Sequence, residues 1–207
     1  MQRYTTIALF SAIALSVGIL GVYGLASVPS TLKVQSDTQN IGAVPMLGHV
    51  TMTVKDAQGN ILAYHQGDNV VVNQAEDCLS KKVFGIASSI CPGGGAVYNV
   101  IAIGNGTVTS AKTDSALTTE ESGVVNMQRK TATTQTETDA TGVAPVSDVL
   151  QAQFTNDGTT GNTVKEAGLF NSTTVGAVGM FAHQSSFSVS LNTGDSLTVK
   201  WTVTMGT

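Results

Sequence analysis

Charged side chains are scarce in this chain of 207 residues, because Asp, Glu, Lys and Arg together make up only 12% of it. That is about half of the usual share of about 25%. The formal net charge is −4 and no run of Lys or Arg occurs. Both observations argue against a nucleic-acid partner, which is normally bound through a basic patch. Solubility therefore depends on Thr, Ser, Asn and Gln, as is typical of secreted β proteins and of dense assemblies.

Sequence motifs for chemistry are also missing. The chain has no Gly-x-Ser-x-Gly elbow for a serine hydrolase. Its glycine-rich loop at residues 91–95 precedes a predicted strand, whereas phosphate binding needs a helix N-terminus at that point. The three histidines, His49, His65 and His183, have no further ligand at metal-binding spacing. We therefore expect a protein that is not an enzyme and that needs no cofactor.

Calcium is the one ligand that the composition leaves open. Carboxylates in predicted loops supply the oxygen ligands that Ca²⁺ prefers, although no Asp-x-Asp-x-Asp pattern groups them. The candidates are Asp56, Asp114, Glu120, Glu121 and Asp148.

Only two cysteines occur, Cys78 and Cys91. A disulfide between them is consistent with an exported protein, since such a pair oxidises outside the cytosol. The bond would close a loop of about fourteen residues and stabilise the fold by about 3 kcal/mol in the chain-entropy model. The alternative is two separate buried thiols.

Residues 1–28 are a hydrophobic segment with two interpretations. No charged side chain lies between Thr5 and Val28, and Arg3 precedes them. A run of roughly twenty apolar residues is long enough to span a membrane as a helix. The small residues near Ala26 also suit the cleavage site of a signal peptide. Anchor and signal peptide both place the rest of the chain outside the cell, at its surface or in an extracellular or virion assembly.

Residues 29–46 are polar and predict a linker that lifts the following domain from the membrane. Residues 31–35 alternate in the period of a strand, with Leu32 and Val34 on one face. The second interpretation is therefore a donor strand, which pairs with a sheet edge of a neighbouring subunit.

Residues 47–207 alternate polar and apolar side chains in run after run, with Gly, Asn and Asp between the runs. This pattern predicts eight to ten short antiparallel strands, arranged as a β-sandwich with a barrel as the nearest alternative. The clearest alternation, at residues 197–205, predicts a half-buried strand with Trp201 in the core. Among the other predicted strands are a long one at 124–138 and two more at 164–170 and 175–183.

One helix interrupts the strands. The spacing predicts it over residues 74–86, with Asn73 as the cap. Its predicted apolar face consists of Leu79, Val83 and Phe84, with Cys78 or Ile86 beside them.

Two sequons, at Asn105 and Asn171, match the acceptor pattern for N-glycosylation and fall in predicted turns. Each is also explained as an ordinary turn in a Thr-rich chain.

Three blocks of sequence resemble a β-sandwich domain that is found in tail-fibre-like and other virion-associated proteins of phages. Related domains are found in viral and surface proteins of archaea. The three blocks are residues 50–84, 98–121 and 164–205. The resemblance covers nearly all of residues 47–205. It implies surface display and a structural role for residues 166–170 and Trp201, and it carries over no active-site residue. The hydrophobic N-terminal segment is a difference from this family, because a soluble virion fibre does not need such a segment.

These features together predict an exported structural protein, displayed on a surface or built into a filament or virion through self-association. The alternative is a membrane-tethered module for adhesion or receptor binding.

The intact mass of the native protein, with and without reductant, tests the expectations for the N-terminal segment and for the cysteine pair. We expect the mass of a chain that begins at Met1 if the anchor is retained, or of a chain that begins near Ser27 if a signal peptide is cleaved. We expect reductant to add the mass of two hydrogens, because a Cys78–Cys91 disulfide opens. An unchanged mass would contradict the disulfide.

Overall fold

The computed structural model describes residues 45–86, 97–141 and 144–206. They form antiparallel β-sheets, one α-helix and a short 3-10 helix. The strands are β1 (Met46–Lys55), β2 (Ile61–Asp68), β3 (Val70–Val71), β4 (Val100–Gly104), β5 (Lys130–Thr131), β6 (Thr134–Thr138), β7 (Val146–Thr155), β8 (Asn162–Val164), β9 (Glu166–Phe170), β10 (Met180–Gln184), β11 (Val189–Leu191) and β12 (Ser196–Met205). The helices are α1 (Asn73–Val83) and the 3-10 helix Val125–Met127. The hydrophobic segment 1–28, and Leu32 and Val34, lie outside the described residues.

The strands form three sheets. The first sheet has the order β2-β1-β12-β7-β6, and the second sheet has the order β3-β10-β9-β4-β5. Strands β8 and β11 form a separate pair. Every pairing is antiparallel. The prediction of a mainly β chain with antiparallel sheets and one α-helix is confirmed for this part of the chain.

Strand β12 is the centre of the first sheet. All ten of its residues are in register with β1 on one side and with β7 on the other. Its alternation places Leu197, Val199, Trp201 and Val203 in the interior, as the sequence predicts, and Trp201 is fully buried. Because the side-chain period of a strand is two, a slip of one residue would turn this whole apolar set to solvent.

Both large sheets contribute to one hydrophobic core. The first sheet supplies Met52, Phe154 and Trp201, and the second supplies Ile101 and Phe170, all fully or almost fully buried. The turn between β1 and β2 is the predicted one: Oδ1 of Asp56 accepts hydrogen bonds from the backbone N–H groups of Gln58 and Asn60. Gly59 has a φ of 89° there, which favours glycine.

Three predicted strands are shorter than expected. The strand over 124–138 is wrong as one element, because a 3-10 turn buries Met127 and is followed by two short strands. The strand over 164–170 is divided between two sheets, as β8 and β9. The strand over 175–183 begins only at Met180, because Gly176 and Gly179 adopt positive φ in the preceding loop.

The helix departs from its predicted cap and face. Val72 occupies the N-cap, so the predicted cap Asn73 is the first helical residue. Helix α1 packs through two small side chains, Ala75 and Cys78, which are buried. The predicted apolar face is exposed: Leu79 by 39%, Val83 by 68%, Phe84 by 74% and Ile86 by 59%. Small residues allow the helix to approach the second sheet closely, and this approach leaves the larger side chains in solvent. Within the described ranges, no helix is long and apolar enough to cross a bilayer.

Truncation of Phe154 to Ala tests the shared core. We expect a loss of about 3–5 kcal/mol in the free energy of unfolding, because a buried aromatic ring is replaced by a cavity. Denaturant titration measures the loss. Val178→Ala is the matched control, since Val178 is 62% exposed and surface truncations change stability by about 0.5 kcal/mol or less. Equal losses in the two variants would contradict the assigned core.

Candidate functional site

One of the two edges of the first sheet is formed by β2. This eight-residue strand pairs with β1 and, in the described part of the chain, with no other strand. It exposes three large hydrophobic side chains, Ile61 (65%), Leu62 (53%) and Tyr64 (60%). Natural sheet edges are usually protected by lysine, proline, inward-pointing charge or very short strands. Strand β2 contains neither Lys nor Pro, and its one charged residue, Asp68, is the last of the strand.

The opposite edge of the first sheet is β6. Its five residues pair only with β7 among the described strands, and all five are exposed. The edges of the second sheet are different, because β3 and β5 are only two residues long each. Very short edge strands offer little template for pairing. The first sheet is therefore the one with two long, open edges.

A groove lies beside the exposed face of α1. It has a volume of about 550 Å³ and is lined by Pro45, Met46, Leu79, Val83 and Phe84, with polar residues at its sides. Exposed apolar surface of this kind marks interaction sites more often than single scattered hydrophobic residues do.

A second cavity, of about 490 Å³, opens beside β6 between the two large sheets. Its buried lining is apolar: Leu150, Leu169, Phe181 and Val203. Exposed residues, including Val97 and residues 135–137, form its rim. Binding pockets of proteins have volumes of about 300–1,000 Å³ and mostly apolar walls with a few polar groups.

The ionisable groups that line this cavity are two carboxylates and a phenol. Glu137 on β6 and Asp148 on β7 are direct cross-strand partners, and both line the cavity. Burial raises the pKa of Asp148. The hydroxyl of Tyr98 is buried and makes no hydrogen bond to any described residue, and burial raises its pKa. An unsatisfied buried hydroxyl costs about 1–3 kcal/mol, so a ligand that accepts its hydrogen bond would remove that cost.

The interior contains a fully buried carboxylate, that of Glu166 at the start of β9. Its oxygens accept hydrogen bonds from the backbone N–H groups of Gly106 (3.0 Å), Thr118 (3.0 Å) and Thr119 (2.7 Å). The carboxylate thus binds both ends of the loop that follows β4. A Cβ at position 106 would clash with it at 2.4 Å, which explains the glycine.

His183 lies between two carboxylates. Its Nδ1 atom is 2.7 Å from Oδ2 of Asp114, and its Nε2 atom is 3.4 Å from Oε2 of Glu166. The second distance is too long for a full hydrogen bond, and Nε2 has no other partner in the described ranges. We therefore regard the His183–Glu166 contact as electrostatic. His183 is 1% exposed, so this cluster faces the interior and holds the loop against β9 and β10.

These contacts shift two pKa values. Burial alone lowers the pKa of His183, but the close contact with Glu166, the hydrogen bond with Asp114 and the negative charges of both carboxylates outweigh it, so the pKa is raised above 6.5. Burial alone raises the pKa of Glu166, but contact with His183 and the three backbone N–H groups outweighs it, so the pKa is lowered below 4.5. The folded state therefore favours the charged form of both groups.

A second buried ion pair joins Arg129 and Glu120. Nη2 of Arg129 lies 2.9 Å from Oε2 of Glu120 and donates to the carbonyl of Ala177, while Nη1 donates to the carbonyl of Ser172. The guanidinium carbon lies 3.8 Å from the centroid of the Phe170 ring. The two carbonyl contacts fix the loop before β10, and the contacts with Glu120 and Phe170 join that loop to the loop after β4 and to β9.

The predicted modification sites are in different environments. Cys78 is buried on α1, and Cys91 lies outside the described residues, so their disulfide stays a prediction. Asn105 is exposed, whereas Nδ2 of Asn171 is buried against Gly179 without a hydrogen-bond partner in the described chain. Glycosylation stays a prediction at both positions, and the geometry favours Asn105 as the accessible one.

The candidate calcium ligands do not converge. Asp56 closes its own turn, Asp114 contacts His183, and Glu120 contacts Arg129. Glu121 accepts from Gly123, Val124 and Asn162, and Asp148 lies at the cavity. No group of three or more His, Cys, Asp or Glu side chains in the described ranges is arranged to hold a metal ion. His49 contacts Asp68 on the surface, and His65 lies against Phe187.

Sequence reasoning missed the buried cluster and the cavity. Asp114, Glu166 and His183 are far apart in the chain, and no spacing rule connects them. The pairing of Glu137 with Asp148 depends on the register of β6 with β7. The only signal available in the sequence was weak: carboxylates inside runs that otherwise alternate as strands.

The chain matches no protein-family model, no curated protein and no solved structure at a significant level.

The pH dependence of stability tests the buried cluster. Because folding raises the pKa of His183, its protonated form stabilises the fold below about pH 6.5, and this stabilisation is lost as pH rises through the folded-state pKa. We expect the free energy of unfolding, measured with urea from about pH 5.5 to about pH 9, to fall across this range. His183→Gln should remove this slope and destabilise the fold by about 3 kcal/mol.

The control for this experiment is His49→Gln, because His49 lies on the surface beside Asp68. It should keep the slope of the native chain. A native profile that is flat above pH 6.5, or an equal slope in His183→Gln, would contradict the assignment.

Proposed function

We propose that this chain is a non-enzymatic, exported structural protein that self-associates through its β domain and N-terminal segment. It is displayed on a surface or forms a subunit of a filament or virion. The observation that carries the proposal is that the two edge strands of the first sheet, β2 with eight residues and β6 with five, each pair on one side only among the described residues. A sheet with two open edges can extend in both directions, since each subunit offers one edge to each neighbour.

The fold supports the same proposal. The two five-stranded sheets share one hydrophobic core, and we propose that they stack as a β-sandwich, consistent with the resemblance to domains of virion-associated and archaeal surface proteins. The buried clusters around Glu166 and Arg129 hold the long loops in place. A rigid body of this kind presents its edges without a cost in loop ordering.

The composition supports assembly as well. Few charged residues occur in the chain, so closely packed subunits repel one another weakly. Residues 1–28 would deliver the protein to the membrane or bury a helix in the assembly. Neither interpretation of this segment changes the role of the sheet edges.

Substitution on β2 tests the proposal. The variant Leu62→Lys with Tyr64→Lys adds two positive charges to an exposed edge strand, at little cost in stability because both side chains are exposed. We expect the full-length native chain to form polymers and this variant to form much shorter ones or none. Light scattering and electron microscopy measure the size distribution.

The matched control is Val125→Lys with Val178→Lys, which adds the same charge at exposed hydrophobic residues outside the strands. It should assemble like the native chain. A native chain that stays monomeric at all concentrations would overturn the proposal and favour the alternative, a membrane-tethered module for adhesion or receptor binding.

A further inference from the structure

We propose that β6 pairs with β6 of a second copy of this chain, antiparallel about a two-fold axis that passes between the two copies of Thr136. The inference rests on the proposed function and names the partner of one sheet edge. In the described part of the chain β6 pairs only with β7, and all five of its residues are exposed. Its outer side is therefore available for a ladder of backbone hydrogen bonds.

The strand directions favour the pairing of like edges. The five strands of the first sheet alternate in direction, so β2 and β6 run the same way. In a continuous sheet with both cores on one side of it, β6 of one copy would meet β2 of the next copy as a parallel pair. Two β6 strands meet there as an antiparallel pair, which is slightly more stable per residue. The described strand pairings of this chain are all antiparallel as well.

The inner face of β6 sets the register of this pairing. Gln135 is the cross-strand partner of the buried Leu150. Glu137, two residues further along the strand, therefore points to the same side of the sheet. Antiparallel overlap of the whole strand places Gln135 of each copy opposite Glu137 of the other. An amide N–H then donates to a carboxylate at two symmetric positions.

Both side chains are available for this contact. Nε2 of Gln135 is 3.4 Å from the carbonyl oxygen of Ala132, which is long for a hydrogen bond. Glu137 makes no hydrogen bond or ion pair with a described residue. Its cross-strand partner is Asp148, and like charges directly opposite are unfavourable. An amide donor on the outer side of Glu137 would stabilise its charged form.

The same side chains disfavour other registers and other edges. A charge that points inward from an edge strand protects that edge against indiscriminate pairing. A register centred on Glu137 would place two carboxylates opposite each other and shorten the overlap. On the outer face, the register centred on Thr136 forms Thr–Thr pairs from Thr134, Thr136 and Thr138, which stabilise antiparallel strands. The edge is therefore complementary to itself, as a two-fold interface requires.

Cysteine cross-linking of the full chain tests the axis. Thr136→Cys places a thiol opposite its own copy, at a Cα separation of about 4.5–5.5 Å, which suits a disulfide. We expect this variant to form a disulfide-linked dimer under mild oxidation, measured on non-reducing gels and by mass spectrometry. The native chain, treated in the same way, is the control for cross-links through Cys78 or Cys91.

The neighbouring positions test the strand direction. Residue 134 and residue 138 each lie about 14 Å from their own copy in the proposed pair, four residues along the strand. Thr134→Cys and Thr138→Cys should therefore not cross-link alone, whereas an equal mixture of the two should form mixed dimers. Cross-linking of Thr134→Cys with itself would indicate a parallel junction and overturn the proposal. A Thr136→Cys chain that forms no dimer would overturn it too.

Charge substitutions in the Thr136→Cys chain test the contact between Gln135 and Glu137. Gln135→Glu should lower the initial rate of dimer formation roughly tenfold, since two symmetric attractions become repulsions. Gln135→Lys should keep it, because an ammonium group replaces the amide donor. Gln153→Glu is the matched control, as Gln153 is exposed on β7 and gives the same change in charge. Equal rates for Gln135→Glu and Gln135→Lys would contradict the assigned register.

Polymer growth separates this inference from the proposed function. Polymers of the Thr136→Cys chain that contain no cross-linked dimer would overturn this inference and leave the proposed function intact. Cross-linked dimers from a chain that forms no polymers would support the β6 pairing and overturn the proposed polymer.

Discussion

The ladder around β12 is the constraint on which the rest of the structure depends. Ten residues are in register with β1 on one side and ten with β7 on the other, and the interior face of β12 carries Trp201 at the centre of the core. The register of the first sheet is therefore set by its central strand and not by its edge strands. Its edges contribute less to the core, since β2 and β6 expose most of their side chains, and they are therefore free to carry function.

The second sheet depends on buried charge as much as on apolar packing. The carboxylate of Glu166 accepts three backbone hydrogen bonds and contacts His183, and Arg129 pairs with Glu120 over the ring of Phe170. In both of these clusters the charged groups have an opposite charge and hydrogen-bonded neighbours, which offsets the cost of their desolvation. These clusters order the long loops after β4 and before β10, so the core remains closed although much of the chain is not in strands.

In the described part of the chain, open sheet edges and exposed apolar side chains occur on a fold whose two large sheets share one hydrophobic core. Among the described strands, the edge strands of five or more residues belong to the first sheet, and Val83 and Phe84 at the end of α1 add apolar side chains to the surface. The cavity at β6 adds an apolar floor beneath an acidic rim. In a chain with so little charge to keep copies apart, these surfaces are consistent with a protein whose working form is an assembly.

The sequence by itself determined which faces of the strands are buried. The alternation in β1 and β12 and the turn at Asp56 were predicted correctly, because side-chain period and turn chemistry are local properties. Only the tertiary structure decided the partners. Helix α1 packs through Ala75 and Cys78 rather than through its large residues, and the predicted strand at 124–138 breaks where Met127 turns into the core. Edges, cavity and buried carboxylates arise from contacts between distant segments, which no local pattern encodes.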